Sequence, residues 1–229
     1  MKVLGNVRSY FRRPRVLAEY HGIESGSDKL CFFANYHPHG EVTAYVEAYL
    51  RALRHDGFDI VLCSTSPQLL PQALKTLRNL CCVVIHRENI GYDFYSWKTC
   101  FERVSGWQAR RGLLLTNDSI LGPLKPLSPL WTRIDASDAA LIGLNDSQER
   151  GYHLQSFFLY VKAELLSAPA FELFWKKVRV LDKKSDIIKN YEIGFTQQMQ
   201  SAGFSVEALF PQRDLQQFCL SLREAFQYP

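Results

Sequence analysis

Apolar positions in this chain follow two periods that take turns. "KLCFFANY" (29–36) is a short apolar run ending in polar residues, which predicts a strand. In "EVTAYVEAYLRALRHDG" (41–57), Val42, Tyr45, Val46, Tyr49, Leu50 and Leu53 recur at helical spacing, and Gly57 follows as a stop. "FDIVLCSTS" predicts a second strand, and "PQLLPQALKTLRNL" a helix whose Pro71 falls near its first turn. "CCVVIHR" and "RGLLLTNDS" predict two more strands around a third helix, "DFYSWKTCFERVSGW". Beyond residue 125 the alternation loosens. "AALIGLNDS" (139–147) predicts a strand, "YHLQSFFLYVKAELL" a strand running into a helix, and "FSVEALFP" a short strand. "PAFELFWKKVRVL", "KSDIIKNYEIGFTQQMQSAG" and "DLQQFCLSLREAFQ" predict helices.

Strands alternating with helices point to an α/β fold with a mostly parallel central sheet. In such sheets a ligand lies beyond the carboxyl ends of the strands. Those ends read "NYHPHGE", "STSPQ", "HRENIGYD" and "TNDSILGP", and each is polar. The third is unusual: "IHRENIGYDFYSWKTC" mixes His86, Arg87, Glu88, Asn89 and Asp93 with four aromatics and a turn at Gly91. A plain surface loop has no need of the rings, and a plain core has no place for the charges. The mixture predicts a pocket.

Composition narrows the classes. At 229 residues, with 47% hydrophobic and 22% charged residues, the chain suits a globular protein with a real core. No linker-like segment divides it, so a basic N-terminal segment (1–25) and a single domain (26–229) are expected. No run of 18 apolar residues occurs, so no membrane-spanning helix is expected, and no apolar core of a secretory signal follows the basic start. Much of the net charge of +4 comes from Lys2, Arg8, Arg12, Arg13 and Arg15. These read as a solvated terminus, or as an electrostatic foothold on an anionic membrane surface. Nucleic-acid binding would need a stronger basic excess or a recognisable module.

Of the six cysteines, Cys31, Cys63, Cys81 and Cys82 fall in strand-like runs, and no pair has zinc-site spacing. Buried reduced thiols in a cytoplasmic protein are expected. GxSxG, HExxH and GxxxxGK[ST] are all absent, and no GxGxxG opens a helix after the first strand.

Several blocks resemble the rhamnan synthesis protein F family of bacterial cell-surface polysaccharide assembly. They are "FANYHPHGEVTAYVEAYLRALRHDGFDIVLCSTS", "RENIGYDFYSWK", "LLLTNDSILGPLKPL", "HLQSFFL", "FELFW" and "YEIGFTQQMQSAGF", across about residues 29 to 206. The resemblance implies a GT-A-like, Rossmann-like three-layer sandwich. It further implies a glycosyltransferase that moves a sugar, rhamnose by the family name, from a nucleotide-sugar donor such as dTDP-rhamnose. The acceptor would be a lipid-linked or oligosaccharide glycan, with inversion at the anomeric carbon. A sugar-nucleotide- or glycan-binding subunit without catalysis is the alternative.

Under this resemblance the acidic strand-end motif, which in such enzymes holds Mg²⁺ or Mn²⁺ on the donor diphosphate, falls at Thr116-Asn117-Asp118-Ser119. Only Asp118 can ionise, which makes it the metal candidate and puts metal dependence in question; a simple Asx-type turn is the bland reading. Glu192 in "NYEIGFTQQMQSAGFSV" takes the place of the catalytic base, although Ile193 replaces the usual second acid, and a carboxylate there also suits a helix dipole. Asp146 is the second choice for base. Arg87 and Asn89 are candidates for the nucleotide or phosphate, since arginine's planar fork suits a diphosphate. Asp93 is a candidate for ribose or sugar hydroxyls, or an N-cap, with Gly91 as the turn. Tyr95 and Trp97 read as core. Asn35, His37 and His39 lie by position near the base or ribose, and His153 and Gln155 would share one side of a strand as acceptor- or donor-site candidates.

Overall fold

The central strands are buried on both faces, and that fact sets the architecture. The computed structural model describes residues 12–24 and 26–214. Its strands are β1 (Val16–His21), β2 (Lys29–Asn35), β3 (Phe58–Ser64), β4 (Val83–Arg87), β5 (Gly112–Asn117), β6 (Leu141–Gly143), β7 (Asp146–Ser147), β8 (His153–Leu154), β9 (Phe158–Lys162) and β10 (Val206–Ala208). Along β2, Leu30, Phe32 and Ala34 enter one core, and Cys31 and Phe33 the other. A strand with no wet face needs a layer of helices on each side.

Those layers form from amphipathic segments. On one side pack α1 (Ala44–His55), through Val46, Tyr49, Leu50 and Leu53, then α2 (Pro71–Arg78) through Leu77. On the other lies α3 (Tyr92–Arg103), with Phe94, Trp97 and Cys100 inward. Next come α4 (Ser128–Ala136), which joins the first layer through Ile134, and the short α5 (Ala163–Leu166). The second layer is completed by α6 (Pro169–Lys177), α7 (Lys184–Ile187) and α8 (Gly194–Ser201), the last two joined by a π-helical stretch over Ile188–Ile193. Pro71 stands at the start of α2, where its missing N–H costs nothing.

The main sheet has the order β1-β4-β3-β2-β5-β9-β6-β10, with β7 and β8 forming a separate antiparallel pair. The block from β4 through β5 is parallel; β9 runs antiparallel between β5 and β6, and β10 is parallel to β6. The chain proceeds outward from β2 to β3 and β4, then returns to place β5 on β2's other side. The order therefore reverses between β2 and β5, and a crevice opens there beyond the carboxyl ends.

Three expectations are corrected. The segment set apart as basic (1–25) is not separate throughout, because Val16–His21 adds an antiparallel edge strand to β4. Its side chains alternate between half-buried and exposed, so no continuous apolar run announces it. Cys81 and Cys82 lie ahead of β4 rather than within it, although both are buried. The five cysteines of the described residues are free and buried; Cys219, Lys2, Arg8 and the helix expected over 214–227 lie, but for Asp214, outside those residues. Finally, α3 starts two residues earlier than an Asp93 N-cap requires: left-handed Gly91 precedes it, and Asp93 sits in its first turn.

Candidate functional site

The loop after β4 is built around one arginine. Arg87 is buried at 1% exposure, and its guanidinium donates to the carbonyls of Glu88, Ile90 and Tyr92 and to Ser96 Oγ at 2.5–2.9 Å. These bonds curl the chain through Gly91 (φ 91°) and Tyr92 (φ 57°) into α3. A Cβ on Gly91 would stand 2.8 Å from the Tyr95 Cβ, so both the conformation and the close approach require glycine. The terminal nitrogens of Arg87, a candidate for a diphosphate, are thus bonded to three carbonyls and the Ser96 hydroxyl of the protein itself, while its buried Nε has no hydrogen-bond partner among the described residues. Three rings of the stretch, Phe94, Tyr95 and Trp97, are buried, whereas Tyr92 is exposed. Trp97 Nε1 donates to Thr116 O at 3.1 Å, which ties α3 to the end of β5.

That tie sets Asp93 beside Asn117. Asn117 Nδ2 donates to Asp93 Oδ2 at 2.8 Å, while Asn117 Oδ1 accepts the Ser119 N–H at 3.0 Å. The Asx turn is therefore real, and the same side chain also binds across elements. Asp118 turns toward β2: its Oδ2 accepts from Asn35 Nδ2 at 3.0 Å and from the Tyr36 N–H at 2.7 Å. The carboxyl ends of β2 and β5 and the first turn of α3 thus meet at the place where the strand order reverses.

Electrostatics mark this hub as unusual. Burial pushes the Asp93 carboxyl above its ordinary range; the Asn117 hydrogen bond and the Arg87 charge pull it back, and the Glu192 charge pushes it further up. Burial likewise raises Asp118, opposed by the Tyr36 N–H and reinforced by the charge of Asp93. Glu192 is therefore an electrostatic neighbour of Asp93. It sits on the π-helical stretch, an irregularity frequent at functional sites, and its Oε1 accepts from Ser156 Oγ at 2.7 Å and the Ser156 N–H at 3.3 Å.

Two partly buried carboxylates that raise each other's cost of ionisation suit a neighbouring cation. Among the described residues no group of three or more His, Cys, Asp or Glu side chains forms a metal cage. Mg²⁺ is commonly held by one or two carboxylates together with substrate phosphates, and Asp118 fits that pattern.

The remaining candidates are distributed around this hub. His37 shapes its own turn, accepting the Glu41 N–H on Nδ1 at 3.1 Å and donating its N–H to Ser66 Oγ at 2.9 Å. The exposed His39 ring lies 5.9 Å from that of His37. Asn89 is exposed and faces a cavity of about 410 Å³ with Gly91 and Tyr92, away from the Asp118 bonds. Asp146 Oδ1 accepts the Gln212 N–H at 2.6 Å, which anchors the segment after β10. His153 is buried with Nδ1 bonded to Gly151 O at 2.8 Å. Strand β8 ends at Leu154, so the strand face expected to carry both His153 and Gln155 does not form; Gln155 begins the turn into β9 and its N–H bonds to Asn145 O. Sequence reasoning passed over Ser156, the clamp on Glu192, because a serine at a turn carries no distinguishing signal.

A family model described as "Rhamnan synthesis protein F" matches residues 60–229, beginning within β3. A curated protein of Sinorhizobium fredii, "Uncharacterized protein y4gN", is 28% identical over 171 residues, covering 72% of this chain and 44% of its own length. "Virulence protein VirA" of Vibrio anguillarum is 26% identical over 164 residues, covering 69% of this chain and 52% of its own. The chain thus spans about half the length of these curated relatives. Among solved structures, a protein from Desulfovibrio desulfuricans G20 designated a nucleotide-diphospho-sugar transferase superposes with a TM-score of 0.51 at 13% identity, covering 81% of each chain. That likeness is one of fold, and it agrees with a GT-A-like architecture.

Proposed function

From the premise that the chain belongs to the rhamnan synthesis protein F family, we propose that it is a glycosyltransferase. In this reading it moves rhamnose from a dTDP-linked or similar donor to a glycan or lipid-linked acceptor, with inversion, on the cytoplasmic side of a membrane. The observation that carries the reading is the hub at the strand-order reversal, where Asn35, Asp93, Asn117 and Asp118 interlock beside Glu192.

The donor's base and ribose lie over the β2 end near Asn35, His37 and His39, and Asp93 accepts from sugar hydroxyls. Asp118 would hold a divalent cation, which would supply neutralising charge to the diphosphate. Glu192 takes the proton of the acceptor hydroxyl as that oxygen bonds to the anomeric carbon. The bond from that carbon to the diphosphate breaks, and the diphosphate leaves with the electron pair. Ser156 holds one oxygen of Glu192 in place.

A non-catalytic binding subunit is the second reading, favoured by Asn117 and Ile193, which stand where such enzymes carry acids. One experiment separates the two: thermal melting of the purified protein with a panel of nucleotide sugars, then assay of free nucleotide with and without Mg²⁺. A donor that raises the melting temperature and is turned over supports the transferase. A bound donor that is never consumed supports the subunit, and no donor binding at all rejects both. Asp118→Asn should weaken donor binding and abolish any Mg²⁺ effect.

A further inference from the structure

A second polar site lies on the flank of α3. A cavity of about 220 Å³ is lined by Arg12, Arg13, Lys98 and Arg179, with Glu102 as its one carboxylate and Tyr95 as its ring. Four cations against one acid is a strong local excess in a chain whose net charge is only +4. Lys98 forms the floor. It is 8% exposed, and its Nζ is fixed by the carbonyls of Trp175 (3.1 Å), Lys176 (3.2 Å) and Val178 (2.8 Å) where α6 ends. Burying an ammonium is costly and pulls the Lys98 pKa below its ordinary range; the three carbonyls accept its hydrogen bonds and fix its position. Its ion pair with Glu102 is long, 3.8 Å, and Glu102 is itself more than half exposed. At the rim, Arg12, Arg13 and Arg179 are exposed.

This site is separate from the hub. Lys98 and Glu102 stand five and nine residues down α3 from Asp93, which is about 7 and 14 Å along the helix axis. The 410 Å³ cavity at Asn89–Tyr92 shares Arg12 with it. A further cavity of about 210 Å³, lined by Lys177, Asn190 and Tyr191, shares Arg179 and leads toward the stretch that carries Glu192.

We propose that this cavity is an anion site for a phosphoryl group, distinct from the crevice at the strand ends. Four positive charges exceed what a single carboxylate neutralises, and a phosphate or diphosphate matches the excess. The Lys98 N–H groups are spent on carbonyls and Arg179 Nη1 on those of Lys176 and Val178, so the donors toward the anion come from Arg12, Arg13 and the rest of the Arg179 fork. The site does not depend on the sugar-transfer reading. If that reading holds, the phosphoryl group belongs to the acceptor, which would lie along the trough between the two flanking cavities.

The test is calorimetric titration of the full chain with inorganic pyrophosphate at low salt, with acetate as control. Wild type should bind pyrophosphate, more weakly as salt rises, and ignore acetate. Arg12→Gln/Arg13→Gln, both at exposed positions, should lower affinity at least about tenfold with unchanged melting temperature. Arg179→Gln should act in the same direction. Absence of binding, equal affinity for acetate, or wild-type affinity in the arginine variants would overturn the proposal. Flotation with phosphatidylglycerol vesicles then identifies the source. Vesicle binding that disappears in the double variant assigns the site to a lipid phosphate; absent or unaffected vesicle binding assigns it to a soluble phosphoryl ligand. Donor binding measured in the same arginine variants should be unchanged, so the two readings fail separately.

Discussion

Glu192 shows how one side chain is readied by its surroundings. A regular α-helix through 188–193 would turn it elsewhere, whereas the π-helical stretch sets it electrostatically beside Asp93, and Ser156 holds one of its oxygens with two hydrogen bonds. If it is the base, Glu192→Gln should reduce kcat by about 10²–10⁴-fold, the usual contribution of a positioned proton acceptor, while donor affinity changes little. Steady-state kinetics beside donor titration decide this; parallel loss of donor binding, or of folding, would remove the role. Arg87 makes the contrary point. Arginine's fork suits phosphate chemically, but this one binds three carbonyls and a hydroxyl of its own loop.

The element that matters most is the turn from β4 into α3. It reverses direction through two left-handed residues, places Asp93 in the helix's first turn, and sends Phe94 and Trp97 into the core. Phe94 stacks on Trp175, and Phe101 packs against Trp175 and Trp107, so α3 is locked to α6 by rings. Aromatic pairs of this kind add about 0.5–1.5 kcal/mol each beyond the area they bury. The turn has little freedom to relax. Gly91→Ala should therefore destabilise the protein by about 1–3 kcal/mol, from the left-handed conformation together with the 2.8 Å approach to Tyr95. Urea unfolding checks this: the midpoint should fall with the slope unchanged.

At the scale of the whole molecule, two opposing layers of helices bury the sheet and leave its carboxyl edge as the place where buried charge collects. Asp93 and Asp118 are both raised there by burial. A carboxyl whose pKa is higher in the folded protein favours folding below its unfolded value, about 3.9, and loses that contribution as pH rises through the folded value. Near neutral pH the ionised Asp93 thus weighs against stability. Asp93→Asn keeps an acceptor for Asn117 and should raise the melting temperature near pH 7, with the gain shrinking as pH falls toward 4. A gain independent of pH would show that ionisation is not its cause.

Alternation of period-2 and period-3.6 segments was enough to read an α/β domain with a mostly parallel sheet, because a strand dry on both faces has few ways to be covered. The polar strand ends were legible for the same reason: residues 35–41 and 116–119 follow runs that can only be strands. What the sequence could not carry was direction. Whether Arg87 points outward to a ligand or inward to carbonyls, and whether Gln155 continues a strand or begins a turn, depends on contacts tens of residues away. Strand β1 was hidden because an edge strand covered on one face needs no apolar run. The cationic cavity was equally invisible, since Arg12, Lys98 and Arg179 are about 80 residues apart along the chain, and it takes the packing of α3 against α6 and the pairing of β1 with β4 to bring them together.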